Sequence, residues 1–384
     1  MRSLDAGAGA RRLSSLRVAL PAVGLVSGRG EATDAMRFFL PSLLMLSASL
    51  VAGCTGAPVT LVSSQAPALP DPIGFAGMGA GAVEDAIVAV GGAHFPNKKP
   101  WEGGIKAYNR AVYVFEKNAR RVAGELPDAV AYPAYAGTND GLVVAGGTDD
   151  RENFRTTFRV SLRADGGVSL AKLPELPAPV AFAACAVWNG KLVVIGGTDT
   201  PAATHASNAV YALDLTAPEK GWATLPALPG AGRMLSVAGV FRDKLYVFGG
   251  CSLAPDAAGK PFRTYLREAF VLDSVSGDWK RVCDLPEPLV ASIGPAPVAG
   301  DALLLIGGDT GFFYNNGRSP AEHPGQPKTI YAYRPEADSY AVAGSLPIGI
   351  VTAPAVESHG KIYLISGETG PGRRTNGVTV LERR

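Results

Sequence analysis

Glu368 and Arg374 stand six residues apart in a polar segment, Glu-Thr-Gly-Pro-Gly-Arg-Arg-Thr-Asn, that runs to residue 376. A carboxylate partly shielded from water can accept and return a proton near neutral pH. A guanidinium is planar and permanently charged, and it can grip an oxyanion with two parallel hydrogen bonds. Together they could do proton transfer, although the same spacing also suits a plain salt bridge within a loop. A second polar segment, residues 93–108, carries Asn97, Trp101, Glu102 and Tyr108. These side chains either line a binding mouth, with the Trp101 indole offering an aromatic face, or only hold their loop in shape. Arg233 follows Leu-Pro-Gly-Ala-Gly and reads equally as a further contributor or as a solvated loop arginine.

Other chemistries find little support. His94, His205 and His323 have neither close spacing nor a carboxylate partner, so no metal is expected. Cys185, Cys251 and Cys283 form an odd set without a CxxC pair and read as small buried hydrophobes. No arrangement for nucleophilic serine or cysteine catalysis is visible.

The elements that must position these residues come from an internal repeat. An apolar run ending in two small residues recurs at Gly91-Gly92, Gly146-Gly147, Gly196-Gly197, Gly249-Gly250, Gly307-Gly308 and Ser366-Gly367. Successive second glycines lie 55, 50, 53, 58 and 59 residues apart, a spacing that unrelated loops would not keep. Leu-Pro pairs begin at Leu69, Leu126, Leu173, Leu225, Leu285 and Leu346, one before each next unit. A second strand pattern lies between, and Trp222, Trp279 or Tyr340 opens the strand after it. Four strands in roughly 50 residues resembles the Kelch repeat, which builds radial blades. The expectation is therefore an all-β chain, a six-bladed Kelch-type β-propeller. Residues 378–384 supply only a third strand to the last blade, so residues 59–63 are expected to add its fourth and close the ring. In such blades the loops after Gly-Gly and after Leu-Pro share one face, where function on a rigid scaffold concentrates.

The amino-terminal residues read differently. From Met36 a basic start leads into an apolar stretch and then small residues, which is a secretory signal pattern. Its end, Val51-Ala52-Gly53-Cys54, resembles the lipobox of bacterial lipoproteins. Residues 1–53 are thus expected to be removed and Cys54 lipidated, with residues 54–384 as one propeller at the periplasmic side of the cell envelope. The alternative is an ordinary signal peptide cleaved nearby. Residues 1–53 carry six arginines and three acids of the chain's 36 basic and 34 acidic residues, so the remainder is net about −1. That balance gives no reason to expect nucleic acid as a partner; membrane contact is expected through the lipid alone.

The two polar segments resemble loops of the bacterial Kelch-type sialic acid mutarotases, also called N-acetylneuraminate epimerases. Gly367-Glu-x-x-Pro-Gly-x-Arg-Thr375 carries the likeness, together with the Phe95-Pro96 loop. The loop order here, Phe-Pro first and Glu-Arg last, resembles a cyclically permuted branch of that family, and Ser366 replaces the first glycine of the last pair. The resemblance implies that Glu368 and Arg374 are the catalytic pair. It also implies a small acidic sugar as substrate, anomer exchange by acid/base-assisted ring opening, and no cofactor. A non-catalytic propeller binding glycans or a protein partner is the alternative. Convergence of Glu368 and Arg374 in one pocket would separate the two.

Overall fold

The computed structural model describes residues 59–117, 119–313 and 318–384; the expected signal segment and Cys54 lie outside the described residues. Six antiparallel blade sheets follow one another along the chain, five of four strands and the first with a short fifth strand. The second blade is typical, with strands Ala134–Thr138, Gly141–Ala145, Thr157–Leu162 and Val168–Leu173. Its second strand is buried on both faces, whereas its fourth is mostly exposed. The cause is face-to-face packing of neighbouring blades. An inner strand touches apolar side chains on both sides and so reads as a continuous Val/Leu/Ile run rather than an alternation. One core cluster accordingly joins Val88 and Val112 of the first blade to Leu142 and Val160 of the second and Leu192 of the third. The architecture is the expected all-β six-bladed propeller.

Closure is as expected. Leu61–Ala66 pairs antiparallel with Val378–Arg383, from Leu61 opposite Arg383 to Ala66 opposite Val378. The last blade thus takes three strands from the carboxyl end and one from residues 61–66.

The Gly-Gly pair has a steric origin. The first glycine of each pair lies at positive φ, between +56° and +70°, and Ser366 adopts +61° at the same place. A Cβ on Gly146 would sit 2.3 Å from the Val180 carbonyl oxygen of the next blade. Left-handed backbone and this close approach together exclude most side chains. At the closure seam the approaching carbonyl belongs to Phe75, and Ser366 meets it with a hydroxyl. Its Oγ accepts from Phe75 N–H at 2.7 Å and lies 2.9 Å from Phe75 O and 2.7 Å from Thr375 O, fully buried.

The Leu-Pro assignments need one correction. The repeating leucine is the one whose N–H bonds the carbonyl at the start of its blade's third strand: Leu126 to Arg110, Leu285 to Arg267, Leu346 to Lys328 and Leu69 to Asn376. In the second and third blades that role falls to Leu176 and Leu228, bonding Arg155 and Asn208, because Leu173 and Leu225 still belong to fourth strands. The aromatic openers of the fourth strands are latches between blades. Trp222 Nε1 donates to Pro174 O, Trp279 Nε1 to Pro226 O, and the Tyr340 hydroxyl to Cys283 O. Cys185 and Cys251 are buried as expected, but Cys283 is exposed, because it lies just beyond the outer strand Lys280–Val282.

A closed ring of backbone hydrogen bonds surrounds the axis. Gly77 N–H donates to Thr352 O, Tyr132 to Gly77, Phe182 to Tyr132, Leu235 to Phe182, Ala291 to Leu235 and Thr352 to Ala291, at 2.7–3.2 Å. All six residues have φ between +55° and +67° and line one cavity of about 80 Å³. That cavity has room for a few waters and not for a sugar. The ring is therefore the floor of the funnel beneath the polar loops.

Candidate functional site

Glu368–Gly370 and Arg373–Arg374 form a small hairpin after the second strand of the last blade, with Glu368 directly opposite Arg374. The hairpin is fixed at its base, where Glu368 N–H donates to Val351 O at 2.9 Å and Val351 N–H to Glu368 O at 3.0 Å. Positioned this way, the two side chains converge, with Arg374 Nη1 2.8 Å from Glu368 Oε2. The other carboxylate oxygen, Oε1, accepts from Gly372 N–H at 3.0 Å. Side-chain exposure is 3% for Arg374 and 16% for Glu368, so the pair is largely shielded while the carboxylate keeps some access. Arg374 is held from the neighbouring blade as well: its Nε donates to Ala93 O at 3.0 Å, and its guanidinium lies 5.5 Å from the centre of the Phe95 ring. Nη1 is close enough for an ion pair, yet its hydrogens do not point along that line, and it has no hydrogen-bond partner. One buried donor at the pair is therefore uncommitted.

The loop of the first blade supplies the adjoining wall. Ala107–Tyr108 adds a short strand, with Tyr108 opposite Ala93 and Ala107 opposite His94. This brings Tyr108 beside the carbonyl that holds Arg374. Burial raises the Tyr108 phenol well above its ordinary value, with Asp150 and Tyr132 adding to the effect. Tyr132, from the floor ring, has its phenol pushed up to about 12, by burial first; Arg374 opposes that rise and Glu368 reinforces it. Both phenols therefore stay protonated near neutral pH and can donate hydrogen bonds. The Tyr132 ring rests over Gly77, where a Cβ would lie 2.5 Å from it, and packs against Phe182 with ring centres 4.3 Å apart. The funnel floor thus carries an aromatic surface. Lys106 is half-buried at the same wall, its Nζ 5.8 Å from the centre of the Tyr108 ring.

The remaining sequence candidates occupy varied places. Trp101 faces Arg373, whose guanidinium is 5.7 Å from its ring, while Arg373 also donates to His323 O and Ala321 O. That contact ties together loops of the first, fifth and sixth blades. Glu102 is exposed, and its carboxylate accepts from Lys99 N–H at 2.8 Å, holding the turn Pro100–Glu102. Asn97 is exposed near the loop tip. Arg233 is not at the mouth: it is 0% exposed, pairs with Glu268 at 2.8 Å, donates to Gly249 O and lies over Phe270. Burial demanded a partner for its charge, and Glu268, just before the fourth blade's third strand, supplies one. His94 stacks on Phe75, His323 packs on Phe313 and His205 contacts Thr204, so the three are engaged separately. Lys106 and Tyr132 escaped the sequence reading. Both lie in loops that the repeat places on the functional face, and that placement was the available signal.

No protein-family profile matches the chain. Among curated proteins the chain is similar to N-acetylneuraminate epimerases. It is 26% identical to that of Salmonella typhi over 193 residues, covering 44% of this chain and 49% of the relative. It is 27% identical to that of Haemophilus influenzae over 190 residues, covering 43% and 49%. A Kelch domain-containing protein of Vibrio cholerae is 24% identical over 196 residues, covering 44% of this chain and 54% of the relative. The chain thus matches about half the length of these relatives. Among solved structures, that of YjhT superposes with a TM-score of 0.61 at 17% identity, over 83% of this chain and 99% of YjhT. That likeness concerns the fold.

Proposed function

We propose that this propeller, similar in sequence to the N-acetylneuraminate epimerases, interconverts the anomers of sialic acid or a related acidic sugar. The observation that carries the reading is the Glu368–Arg374 pair, closed at 2.8 Å above the funnel floor with the arginine 3% exposed. A 2-keto acid sugar exchanges anomers by opening at its hemiketal carbon. The anomeric hydroxyl loses a proton, the bond from that carbon to the ring oxygen breaks, and the ring oxygen gains a proton. Reclosure on the other face reverses these steps. Glu368 takes the hydroxyl proton and returns one, while Gly372 N–H and Arg374 keep its carboxylate in place. Tyr108 and Tyr132 are protonated donors within the same cluster, and the Tyr132–Phe182 surface can support an apolar sugar face. These steps move only protons and one carbon–oxygen bond, and the named side chains suffice for them.

Proton NMR of freshly dissolved sialic acid tests this reading, because it follows the anomer ratio as it relaxes. The reading requires faster relaxation with the protein than without it. Saturable binding without acceleration would favour a non-catalytic glycan-binding propeller. We also propose, from the Val51–Cys54 motif, that the protein is exported and anchored through a lipid on Cys54.

A further inference from the structure

If the substrate carries a carboxylate, some cation must receive it, and Arg374 is poorly placed to do so alone. Its Nε is bonded to Ala93 O, Nη1 lies 2.8 Å from the Glu368 carboxylate, and the side chain is only 3% exposed. A guanidinium paired with a carboxylate is also close to neutral as a unit and attracts an anion only weakly. In a 2-keto acid sugar the carboxyl group is attached to the reacting carbon itself. The cation that binds it must therefore lie within a few ångströms of the acid/base.

Lys106 is the cation that the fold brings to this wall, its ammonium over the Tyr108 ring and within the fields of Glu368 and Arg374. It makes no ion pair among the described residues. The residues that follow it are fixed by the short strand, Ala107 opposite His94 and Tyr108 opposite Ala93, so its backbone is anchored beside the Arg374 contact. Its stem is half-buried and its Nζ lies over the Tyr108 ring. Its ammonium feels Arg374 and Glu368 from the sixth blade, Asp150 from the second and Arg263 from the fourth. Loops from such separated blades come together only around the axis. Burial, followed by Arg374, lowers the Lys106 pKa, as expected for an ammonium with too little compensating negative charge. Arg263, the other basic group here, is exposed on the hairpin Cys251–Pro255/Pro261–Tyr265 and is freer to stay in water.

We propose that Lys106 receives the substrate carboxylate beside the Glu368–Arg374 pair and so sets the preference for acidic over neutral sugars. The proposal rests on the functional reading above, and the experiment separates the two. Lys106→Met keeps the stem and removes the charge; Lys106→Arg restores a charge. Binding and anomer exchange are measured by NMR for N-acetylneuraminate and for its methyl ester, which retains the anomeric hydroxyl and lacks the carboxylate charge. Lys106→Met weakens binding and half-saturation for the acid by about 10–100-fold, the range of one charge-assisted hydrogen bond. The ester is bound and exchanged as by the parent, and Lys106→Arg recovers most of the loss for the acid. Equal losses for acid and ester would mean that Lys106 only supports Tyr108, and would overturn the proposal; so would no change for either. If Lys106→Met does not fold, Lys106→Gln is put through the same comparison. A parent protein that binds the acid without exchanging it sinks the mutarotase reading, yet the binding comparison still decides the role of Lys106. A parent that binds neither sugar overturns both.

Discussion

Ser366→Ala deletes one oxygen at the seam where the propeller closes, and its cost follows from the bonds that oxygen makes. The hydroxyl accepts from Phe75 N–H at 2.7 Å and also contacts Thr375 O at 2.7 Å. Phe75 O keeps another donor, Gly367 N–H at 2.8 Å, so the main loss is a buried N–H without a partner. Such a group costs about 1–3 kcal/mol, and about 2 kcal/mol is expected here. At about 2.1 cal/mol/K per residue, a propeller of this size unfolds with an entropy near 0.7 kcal/mol/K, so Tm should fall by about 3 °C. Ser366→Gly loses the same hydroxyl but relieves the left-handed backbone at φ +61°, which recovers roughly 1 kcal/mol. Urea unfolding followed by tryptophan fluorescence gives the order parent, then Gly, then Ala, at constant m. A Ser366→Ala protein within 0.5 kcal/mol of the parent would refute the hydroxyl clamp. A glycine variant weaker than the alanine variant would refute the strain argument.

Removing residues 59–66 strips the fourth strand from the last blade, with the pairing from Leu61–Arg383 to Ala66–Val378. Stability should drop by on the order of 5 kcal/mol, at about 1 kcal/mol per lost backbone bond, and unchanged thermal unfolding would place the closing strand elsewhere. Burial lowers the pKa of His94 and of His323 below the ordinary 6.5. The unfolded chain therefore binds protons that the folded imidazoles resist, and stability falls as pH drops from 6.5 through the folded pKa values. His94→Gln should flatten that slope in urea titrations at pH 5–7, and an unaltered slope would clear His94 of the effect. Cys54→Ser should move the protein from the membrane fraction to the soluble one without altering its unfolding; retention in the membrane fraction would rule out the lipid anchor.

Much of the fold was legible because its constraints are steric and repeat six times. A left-handed residue pressed against a neighbouring carbonyl leaves glycine as the usual solution, so the Gly-Gly pairs follow the second strands, except in the first blade, where the strand runs on to His94. Leu173 and Leu225 misled because a second Leu-Pro follows each within three residues, and only hydrogen bonding tells which leucine turns the chain. Glu368 and Arg374 could be paired from sequence since one tight hairpin places them opposite each other. Arg233 could not be placed, because a loop arginine reads alike whether it faces solvent or a buried Glu268. Lys106 and Tyr132 could not be placed because the charges around them lie on other blades, brought near only by closure of the ring.

In the proposed reaction Glu368 moves the proton. Glu368→Gln keeps the side chain's shape and its place opposite Arg374 while removing the proton acceptor. The decisive measurement is the rate of N-acetylneuraminate anomer exchange, followed by proton NMR with the parent and the variant at equal concentration. Exchange should slow by about 10²–10⁴-fold, as general acid–base catalysis commonly contributes, with binding of the sugar retained. A Glu368→Gln protein that equilibrates the anomers as fast as the parent would contradict that role.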